Sequence, residues 1–330
     1  MEQDTSAGTL RPASQQDRKT AGGTARRNLR SFRGYVTHYE LVLMFLPVLA
    51  YFLLFRYVPM YGITLAFKKF NLAKGILGSP WVGLDNFTVL FATDTFVRAV
   101  RNTVVISLQR LAFGFPMPIL LALMINEVRH LKFKKVVQTV SYLPHFLSWV
   151  ILAGLFLQML SPSTGPVNHI LTQWFGLQEP IFFLGDNDWF RGTVIVTDIW
   201  KGMGWGSILY LATIAGIDTS LYEAAVMDGA SRLQRIAHIT LPCLVPTISV
   251  LLILNVGGIL DAGFDQVFNL YNEAVYETAD IIDTYVYRVG LGQMRYSQGT
   301  AVGLFKNVIG FFLVVVTNKI SQRINGNGVW

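Results

Sequence analysis

Long apolar segments alternate with polar loops along most of this chain. Each apolar segment is close to the ~20 residues that a helix needs to cross a bilayer. Membrane barrels instead show segments of about ten residues with alternating hydrophobicity, and the sequence has no such pattern. The pattern therefore predicts an all-α membrane protein with six transmembrane helices, at residues 39–58, 103–125, 136–160, 193–217, 244–264 and 300–316.

The composition agrees with a membrane protein. Hydrophobic residues make up 52% of the 330 residues, charged residues make up only 14%, and the mean hydropathy is +0.43. Soluble domains carry about 25% charged residues. We attribute the net charge of +7 to basic cytoplasmic ends rather than to nucleic-acid binding. The single cysteine, Cys243, excludes a disulfide within the chain.

The basic residues predict the orientation in the membrane. Residues 1–34 hold seven Lys and Arg residues against three acids, which predicts a basic, disordered cytoplasmic tail ahead of a membrane domain at residues 35–330. An even number of spans then places both termini in the cytoplasm. The loop 59–102 carries three lysines on the opposite side and is the exception to this charge rule. We predict that this long loop packs as a small cap.

The polar stretch between the fourth and fifth spans reads EAAVMDGASRLQRIAHITLP, from Glu223 to Pro242. Its first residues favour a helix, and Gly229 permits a positive φ or a close backbone approach. A second helical segment follows, and Pro242 either ends it or opens the next helix. The stretch predicts a helix–turn–helix at the cytoplasmic membrane face, although an ordinary amphipathic loop helix is an alternative interpretation.

The spacing of this stretch resembles the EAA loop of permeases in ATP-binding-cassette (ABC) importers. The resemblance implies a coupling loop at residues 218–243 that docks into a groove of a cytoplasmic ATPase. The matching positions, which are the predicted ATPase-coupling residues, are Glu223, Ala224, Ala225, Gly229, Ile239, Leu241 and Pro242.

Four further segments resemble the oligosaccharide-type permeases of ABC importers, of the MalF and LplB kind. They are WVGLDNF (81–87), RNTVVIS (101–107), YLPHFLSWVI (142–151) and FDQVFNLYN (264–272). The resemblance implies the MetI-like fold of type I importer permeases, in the bacterial inner membrane. It also implies four kinds of partner: a second permease forming a heterodimer, two ATPase subunits, an extracytoplasmic solute-binding protein and an oligosaccharide substrate.

The energy source is expected to lie outside this chain. The sequence has no GxxxxGK[ST] phosphate-binding loop, so ATP and Mg²⁺ are expected in the partner ATPase and no cofactor in this chain. The five histidines are scattered without metal-ligand spacing, and no nucleophile elbow is present. The chain is therefore not expected to be an enzyme.

Three basic residues, Arg110, Lys201 and Lys306, lie within predicted spans, where ionisable side chains are costly and functional. Each lies six to eight positions past the start of its span, about 10 Å below the outer boundary. We interpret them as a ring of positive charge that selects sugars bearing carboxylates, such as uronate oligomers. The alternative is local pairing, of Lys201 with Asp198 and of the other two with Asp261 or an acid of a partner subunit.

Sugars also require apolar faces for stacking and amides for their hydroxyl groups. The candidates within spans are Trp200, Trp205, Gln109, Asn255 and Asn307, and each is equally explained as a helix-contact residue. Three glycines around Trp205 predict a closely packed or bent helix. They are Gly202, Gly204 and Gly206.

Two other classes of protein remain open from sequence. A secondary carrier would need no ATPase and would show inverted repeats with broken helices, and no convincing repeat is found. A membrane-embedded enzyme of polysaccharide assembly would need clustered charged residues at a membrane face. The acids that follow Asp261 are dispersed, which does not favour such a site.

Overall fold

The computed structural model of the protein describes residues 39–325, and the predicted tail at residues 1–34 lies outside them. Within the described residues the chain is helical and has no β-strand, apart from an isolated antiparallel bridge between Lys68 and Trp81. The α-helices are α1 Tyr39–Phe52, α2 Gly75–Gly78, α3 Asp85–Phe91, α4 Asp94–Gln109, α5 Pro116–Glu127, α6 Leu131–Tyr142, α7 Trp149–Met159, α8 Pro166–Phe175, α9 Asn187–Ala215, α10 Thr219–Met227, α11 Arg232–Arg235, α12 Leu241–Gly257, α13 Phe264–Leu270, α14 Tyr276–Ala279, α15 Ile282–Tyr285 and α16 Tyr296–Asn325.

Short π and 3₁₀ turns join several of these helices into longer ones. The π turns are Leu53–Tyr57, Arg110–Gly114, Ile236–Thr240 and Val286–Gly292, and the 3₁₀ turns are Val58–Phe67, Leu143–Phe146 and Glu273–Val275. The chain divides into two compact units, one ending at Tyr61 and the other beginning at Gly62. The first contains α1, which carries many exposed apolar side chains, and the second contains the residues discussed below.

Four helical stretches of the described chain are long and apolar enough to cross a membrane. They are Tyr39–Phe67, Asp94–Glu127, Arg232–Gly257 and Tyr296–Arg323, and they contain or overlap the first, second, fifth and sixth predicted spans. The fourth predicted span is the 29-residue helix α9, about 43 Å long at 1.5 Å per residue. It is less apolar than the other four, since its central part carries Asp198 and Lys201.

The third predicted span is not a straight helix, which corrects the sequence interpretation. The helical stretch Leu131–Phe146 meets α7 at an angle of 104°. Pro144 is buried in the 3₁₀ turn that ends the first part. Leu147 and Ser148 then adopt extended backbone conformations, and the Ser148 hydroxyl accepts a hydrogen bond from the N–H of Ile151 to begin α7. Pro144 thus lies at the break, whereas Pro47 and Pro246 lie inside continuous helices.

The fifth predicted span ends earlier than its apolar sequence indicates. Helix α12 stops at Gly257 rather than near residue 264, and Gly263 has a φ of +77° where α13 begins. Its start is also different, because the second helix of the polar stretch continues through the π turn into α12. The polar stretch and the fifth span are therefore one continuous helical rod from Arg232 to Gly257.

Polar side chains hold the loop 59–102 in place by hydrogen bonds to its backbone. The Ser297 hydroxyl, at the start of α16, donates to the Lys68 carbonyl at 2.6 Å and accepts from the Phe70 N–H at 2.9 Å. Lys68 is almost fully buried, and its ammonium donates to the Ile76 carbonyl at 2.8 Å and lies over the Trp81 ring. Lys68 is one of the three lysines that depart from the charge rule, and its contacts show that it stabilises the fold of this loop.

An ion pair between the buried Asp280 and the partly exposed Arg288 holds the segment before α16. The carboxylate of Asp280 is fully buried and accepts two hydrogen bonds from Arg288, at 3.0 and 2.5 Å, and one from the Thr284 hydroxyl at 2.8 Å. The hydrogen bonds to Asp280 raise the pKa of Arg288 above its usual value. Asn102 of α4 donates to the backbone carbonyl of Asp280 at 3.0 Å, so the Asn102 side chain ties this segment to α4.

We expect Asp280→Asn to lower the stability of the protein in detergent by about 3 kcal/mol, since breaking a buried pair leaves an uncompensated charge. A thermal unfolding curve followed by tryptophan fluorescence measures the effect. Glu277→Gln is the matched control, because this nearby carboxylate is exposed and should change the midpoint little. Equal midpoints for the two variants would contradict a stabilising role for the pair.

Candidate functional site

A cavity of about 350 Å³ lies among the π turn Arg110–Gly114, α9 and α12. Three of the candidates for the substrate pathway line it, namely Arg110, Asn255 and Asp261. Asp198 and Ser107 also line it. The Ser107 side chain is almost fully buried, and its hydroxyl has no hydrogen-bond partner among the described residues. The cavity lining is therefore partly polar, and it includes a hydroxyl whose hydrogen-bonding capacity the described chain does not use.

Arg110 is fixed by two neighbours. One of its terminal nitrogens donates to the side-chain oxygen of Gln266 and lies 3.8 Å from the Asp198 carboxylate. Gln266 is fully buried, and its amide nitrogen donates to the Val194 carbonyl and the Thr197 hydroxyl, both at 2.8 Å. The guanidinium also lies against Gly263, where any Cβ would overlap it. Arg110 is thus held in one position at the cavity wall.

Lys306 is held by two carboxylates. Its ammonium pairs with Asp261 and donates to both oxygens of Asp283 at 2.8 Å. A smaller cavity of about 170 Å³ is lined by Lys306, Asn307 and Asp261. Asp261 lines both cavities, so the two are neighbours across this carboxylate.

Lys201 is not among the residues that line either cavity, and no ion pair within 4 Å joins it to Asp198 in the described chain. Its ammonium donates to the carbonyls of His145 and Leu147 at 2.8 Å, and Asp198 instead approaches Arg110. Arg110 and Lys306 are each paired with acids of this chain. The structure thus shows the local pairing that the sequence left open as the alternative for Arg110 and Lys306, in keeping with the cost of an uncompensated charge inside a membrane.

The remaining candidates occupy different surroundings. Trp200 contacts Phe156 edge to face at 5.7 Å, and Trp205 stacks flat on His145 at 4.5 Å. The side-chain oxygen of Gln109 is buried without a partner among the described residues. Asn255 donates to the Leu251 carbonyl at 2.8 Å on its own helix. The structure therefore brings Asn255 and Asn307 to the two cavities, whereas the two tryptophans make ring contacts.

Gln266 and Ser107 were missed by sequence reasoning. Both lie in segments that carry the resemblance to oligosaccharide permeases, at residues 264–272 and 101–107. Each is a polar residue surrounded mostly by apolar neighbours, which is a signal that the sequence does contain. Their surroundings are formed by residues far away in the sequence, as in the hydrogen bond from Gln266 to Val194. A local sequence pattern does not specify such contacts.

The polar stretch forms the predicted helix–turn–helix. The Asp218 carboxylate caps α10 by accepting from the Ser220 N–H at 2.9 Å, which lowers the pKa of Asp218. Gly229 has a φ of +75° in the turn. Ser231 and Gln234 then form a reciprocal capping box at the start of α11, a pattern of spacing three that sequence reasoning missed. Pro242 lies in the first turn of α12.

The two helices of this loop enclose a groove of about 280 Å³. Ala225, Gly229 and Ile239, three of the predicted coupling residues, line it. Glu223 and Ala224 are exposed, as are the large apolar side chains of Met227 and Leu233. The Tyr222 hydroxyl and the Thr240 hydroxyl share a hydrogen bond of 2.8 Å, which ties α10 to the rod that continues into α12. The loop is therefore an exposed surface with a stiff connection to a span.

A helical membrane protein with a polar cavity between its spans and a rigid exposed loop joined to one span is a transport permease by class. The chain belongs to the family "Binding-protein-dependent transport system inner membrane component", whose pattern matches residues 114–325. This family assignment confirms the fold class predicted from sequence. It also makes the chain a multi-pass membrane component, and not an enzyme.

Relatives and solved structures agree with this assignment. The chain is 48% identical to the polygalacturonan/rhamnogalacturonan transport system permease protein YteP of Bacillus subtilis over 88% of this chain and 90% of that protein. It is 44% identical to protein LplB of the same organism over 88% and 91%. A bacterial ABC transporter involved in the import of the acidic polysaccharide alginate contains a chain that is 48% identical, with a TM-score of 0.83, covering 90% of this chain and 99% of that chain.

Proposed function

We propose that this chain is the permease subunit of an ATP-driven importer for acidic oligosaccharides. The observation that carries the proposal is the 48% identity, over nearly the whole chain, to a polygalacturonan/rhamnogalacturonan permease and to a chain of an alginate importer. Polygalacturonan and alginate are both polymers of uronate, with one carboxylate on each sugar unit. A shared substrate chemistry of this kind supports import of uronate oligomers by this chain.

The partners follow from the same comparison. The alginate transporter has also been solved with its periplasmic protein bound to an alginate pentasaccharide, and its matching chain is 47% identical to this one, with a TM-score of 0.84. We infer that this chain forms the translocation pathway with a second permease, receives sugar from an extracytoplasmic binding protein and couples to two ATPase subunits that hold ATP and Mg²⁺. Both termini lie in the cytoplasm, as the basic tail indicates.

The two neighbouring cavities are the part of this chain that meets the substrate. Arg110 and Lys306 are the cations for the carboxylates, and they exchange their present partners Asp198 and Asp261 for the sugar. The contact of 3.8 Å between Arg110 and Asp198 is longer than a charge-assisted hydrogen bond, so it yields readily to a better acceptor. Ser107, Asn255 and Asn307 supply hydrogen bonds for hydroxyl groups.

The exposed loop transmits the ATPase cycle. Glu223 supplies a charged contact, Gly229 supplies the turn, and the groove beside Ile239 supplies apolar packing. Because the loop continues without interruption into α12, a displacement of the loop moves the wall of the cavity that carries Asn255. This is a rigid-body transition between two packed states.

Uptake in proteoliposomes tests this function. The complete complex contains the partner permease, the ATPases and the binding protein. It should import labelled oligogalacturonate only when ATP is present inside the liposomes, on the side that the ATPases face. Uptake driven by an ion gradient without ATP would favour a secondary carrier instead. Processing of a lipid-linked sugar donor without net transport would favour an enzyme of polysaccharide assembly.

We expect Arg110→Gln to raise the KM for oligogalacturonate about tenfold, because one charge-assisted hydrogen bond contributes 1.5–3 kcal/mol. Methyl-esterified oligogalacturonate, which lacks the charge, is the control substrate and should be affected less. The double variant Arg110→Gln/Asp198→Asn removes one cation and one acid from the cavity lining, so its net charge is unchanged, and it separates the loss of the cation from the exposure of Asp198. Equal losses for both substrates would rule out charge selection at this residue.

A further inference from the structure

The break in the third span leaves the carbonyls of His145 and Leu147 without a backbone N–H partner in the described chain, whereas the carbonyl of Pro144 accepts from the Leu147 N–H at 3.2 Å. The 3₁₀ turn ends at Phe146, and Leu147 and Ser148 are extended before α7 begins. The last carbonyls of a helix have no helical N–H to accept from. Inside a membrane such carbonyls must accept from another protein donor, because no water is present to donate to them. A bend of 104° at this point thus needs an external donor to be stable.

Lys201 of α9 provides that donor. Its ammonium lies 2.8 Å from the carbonyl oxygens of His145 and Leu147 and 3.5 Å from that of Pro144. It also lies 5.6 Å from the centre of the Trp149 ring, across the break. An ammonium has three N–H donors, and a cation is favoured at the C-terminal end of a helix. Lys201 therefore contacts both sides of the break, through the three carbonyls on one side and the Trp149 ring on the other.

The next turn of α9 contacts the same segment. Trp205 stacks on His145 with their rings parallel at 4.5 Å. Gly204 lies so close to Ser141 that a Cβ would overlap the Ser141 carbonyl. Residues 201, 204 and 205 lie on one face of a helix, since they are three and four positions apart. One face of α9 thus holds the break, while Asp198 and Gly202 of the same helix line the cavity.

We propose that Lys201 is a positioning residue that clamps the broken third span to α9, so that the break and the cavity wall move as one body during transport. Lys201 accordingly sets the rate of the conformational cycle and does not select the charge of the sugar. The transport readout of this proposal rests on the proposed function. Its structural readout, the geometry of the break, does not.

Two measurements on the complete complex test the clamp. The first is the distance between spin labels at Thr139→Cys and Leu155→Cys, two exposed positions on either side of the break, in a Cys243→Ser background. Lys201→Met should shift or broaden this distance distribution. The second is uptake of oligogalacturonate, in which Lys201→Met should lower the maximal rate about tenfold, as expected for loss of hydrogen bonds to a charged group, and leave KM unchanged.

Chemical rescue separates the clamp from a general loss of structure. The Lys201→Cys chain in the Cys243→Ser background is treated with 2-bromoethylamine, which alkylates the thiol and restores an ammonium at nearly the original length. The maximal rate should recover, whereas alkylation with iodoacetamide, which adds no ammonium, should not restore it. Lys201→Gln keeps N–H donors without the charge, so it should retain more activity than Lys201→Met, and it replaces that variant if Lys201→Met does not fold.

The outcomes are decisive in both directions. A disturbed break with a lower maximal rate, restored by the ammonium, supports the clamp. An unchanged distance distribution in Lys201→Met overturns it, and so does a raised KM for the acidic sugar with an unchanged maximal rate, which would return Lys201 to charge selection. If the unmodified complex imports no acidic oligosaccharide, the proposed function fails, and the distance measurement still decides the clamp.

Discussion

Replacing Gly204 by Ala is expected to destabilise the protein strongly and to reduce assembly of the transporter. A Cβ at this position would overlap the backbone carbonyl of Ser141 on α6. Overpacking costs about 1–3 kcal/mol where side chains can give way, and a backbone atom in a helix gives way less than a side chain. The two helices would have to separate beside the break that Lys201 holds. The variant should therefore show a lower thermal midpoint and a lower yield of complex.

Gly192→Ala is the matched control for this change. Gly192 lies on the same helix, α9, and a Cβ there would meet nothing within 4 Å. Alanine is a better helix former than glycine by about 1 kcal/mol, so the control should be neutral or slightly stabilising. Thermal unfolding of both variants in detergent, side by side, measures the difference. Equal midpoints would mean that α6 and α9 do not pack closely at Gly204.

Hydropathy and charge predicted the spans because those signals depend on each segment alone. The ends of the spans were predicted less well, and the fifth shows the reason. Its apolar sequence continues past residue 257 towards Phe264, but Gly257 and Gly258 end the helix. The chain then changes direction, and Gly263 lies against the Arg110 guanidinium. A change of direction within apolar sequence leaves the hydropathy signal unchanged.

Sequence reasoning specified the partners of the charged residues only in part, since it named Asp261 as one candidate partner of Lys306 but did not find the contacts of Lys201. Asp198 and Lys201 are three positions apart on one helix, a spacing that favours a pair. The fold instead brings Arg110 of another helix to Asp198 and places the carbonyls around His145 next to Lys201. Membrane interiors require every charge and backbone group to find a partner. That requirement was predictable for these residues, whereas the choice among partners follows from helix packing.

The loop of α10 and α11 was predictable because its signals are local. Gly229 adopts the positive φ that its position after a helix indicated, and Pro242 occupies the first helical turn that proline prefers. What sequence could not give is the continuity of this loop with the fifth span, since a loop and a span look like separate segments in hydropathy. The continuous rod Arg232–Gly257 is the element through which we propose that the loop is coupled to the cavity.

Gly229→Val is the second change with a large expected effect, here on coupling. The φ of +75° costs a residue with a side chain about 1–2 kcal/mol, and a β-branched residue is the least suited to it. A Cβ at Gly229 would meet nothing within 4 Å of this chain. The side chain would instead project from the turn beside the groove that we assign to the ATPase. We expect retention of the ATPase during purification and ATP-driven uptake each to fall about tenfold or more, since 1.4 kcal/mol of lost docking energy is tenfold in affinity.

Gly176→Val is the control that makes this test specific to coupling. Gly176 ends α8 with a φ of +67° and has equally open space around its Cβ position, so the backbone strain is the same but the position lies outside the coupling loop. Gly229→Asn divides the effect further, because asparagine tolerates a positive φ and adds bulk without much strain. If Gly229→Asn is as defective as Gly229→Val, bulk at the docking surface is the cause, and if it is active, the turn conformation is the cause. Gly229→Val would contradict docking if it retained the ATPase and took up sugar as well as Gly176→Val does. A surface that accepts valine at its central turn is not a tight interface, so the loop would then not dock.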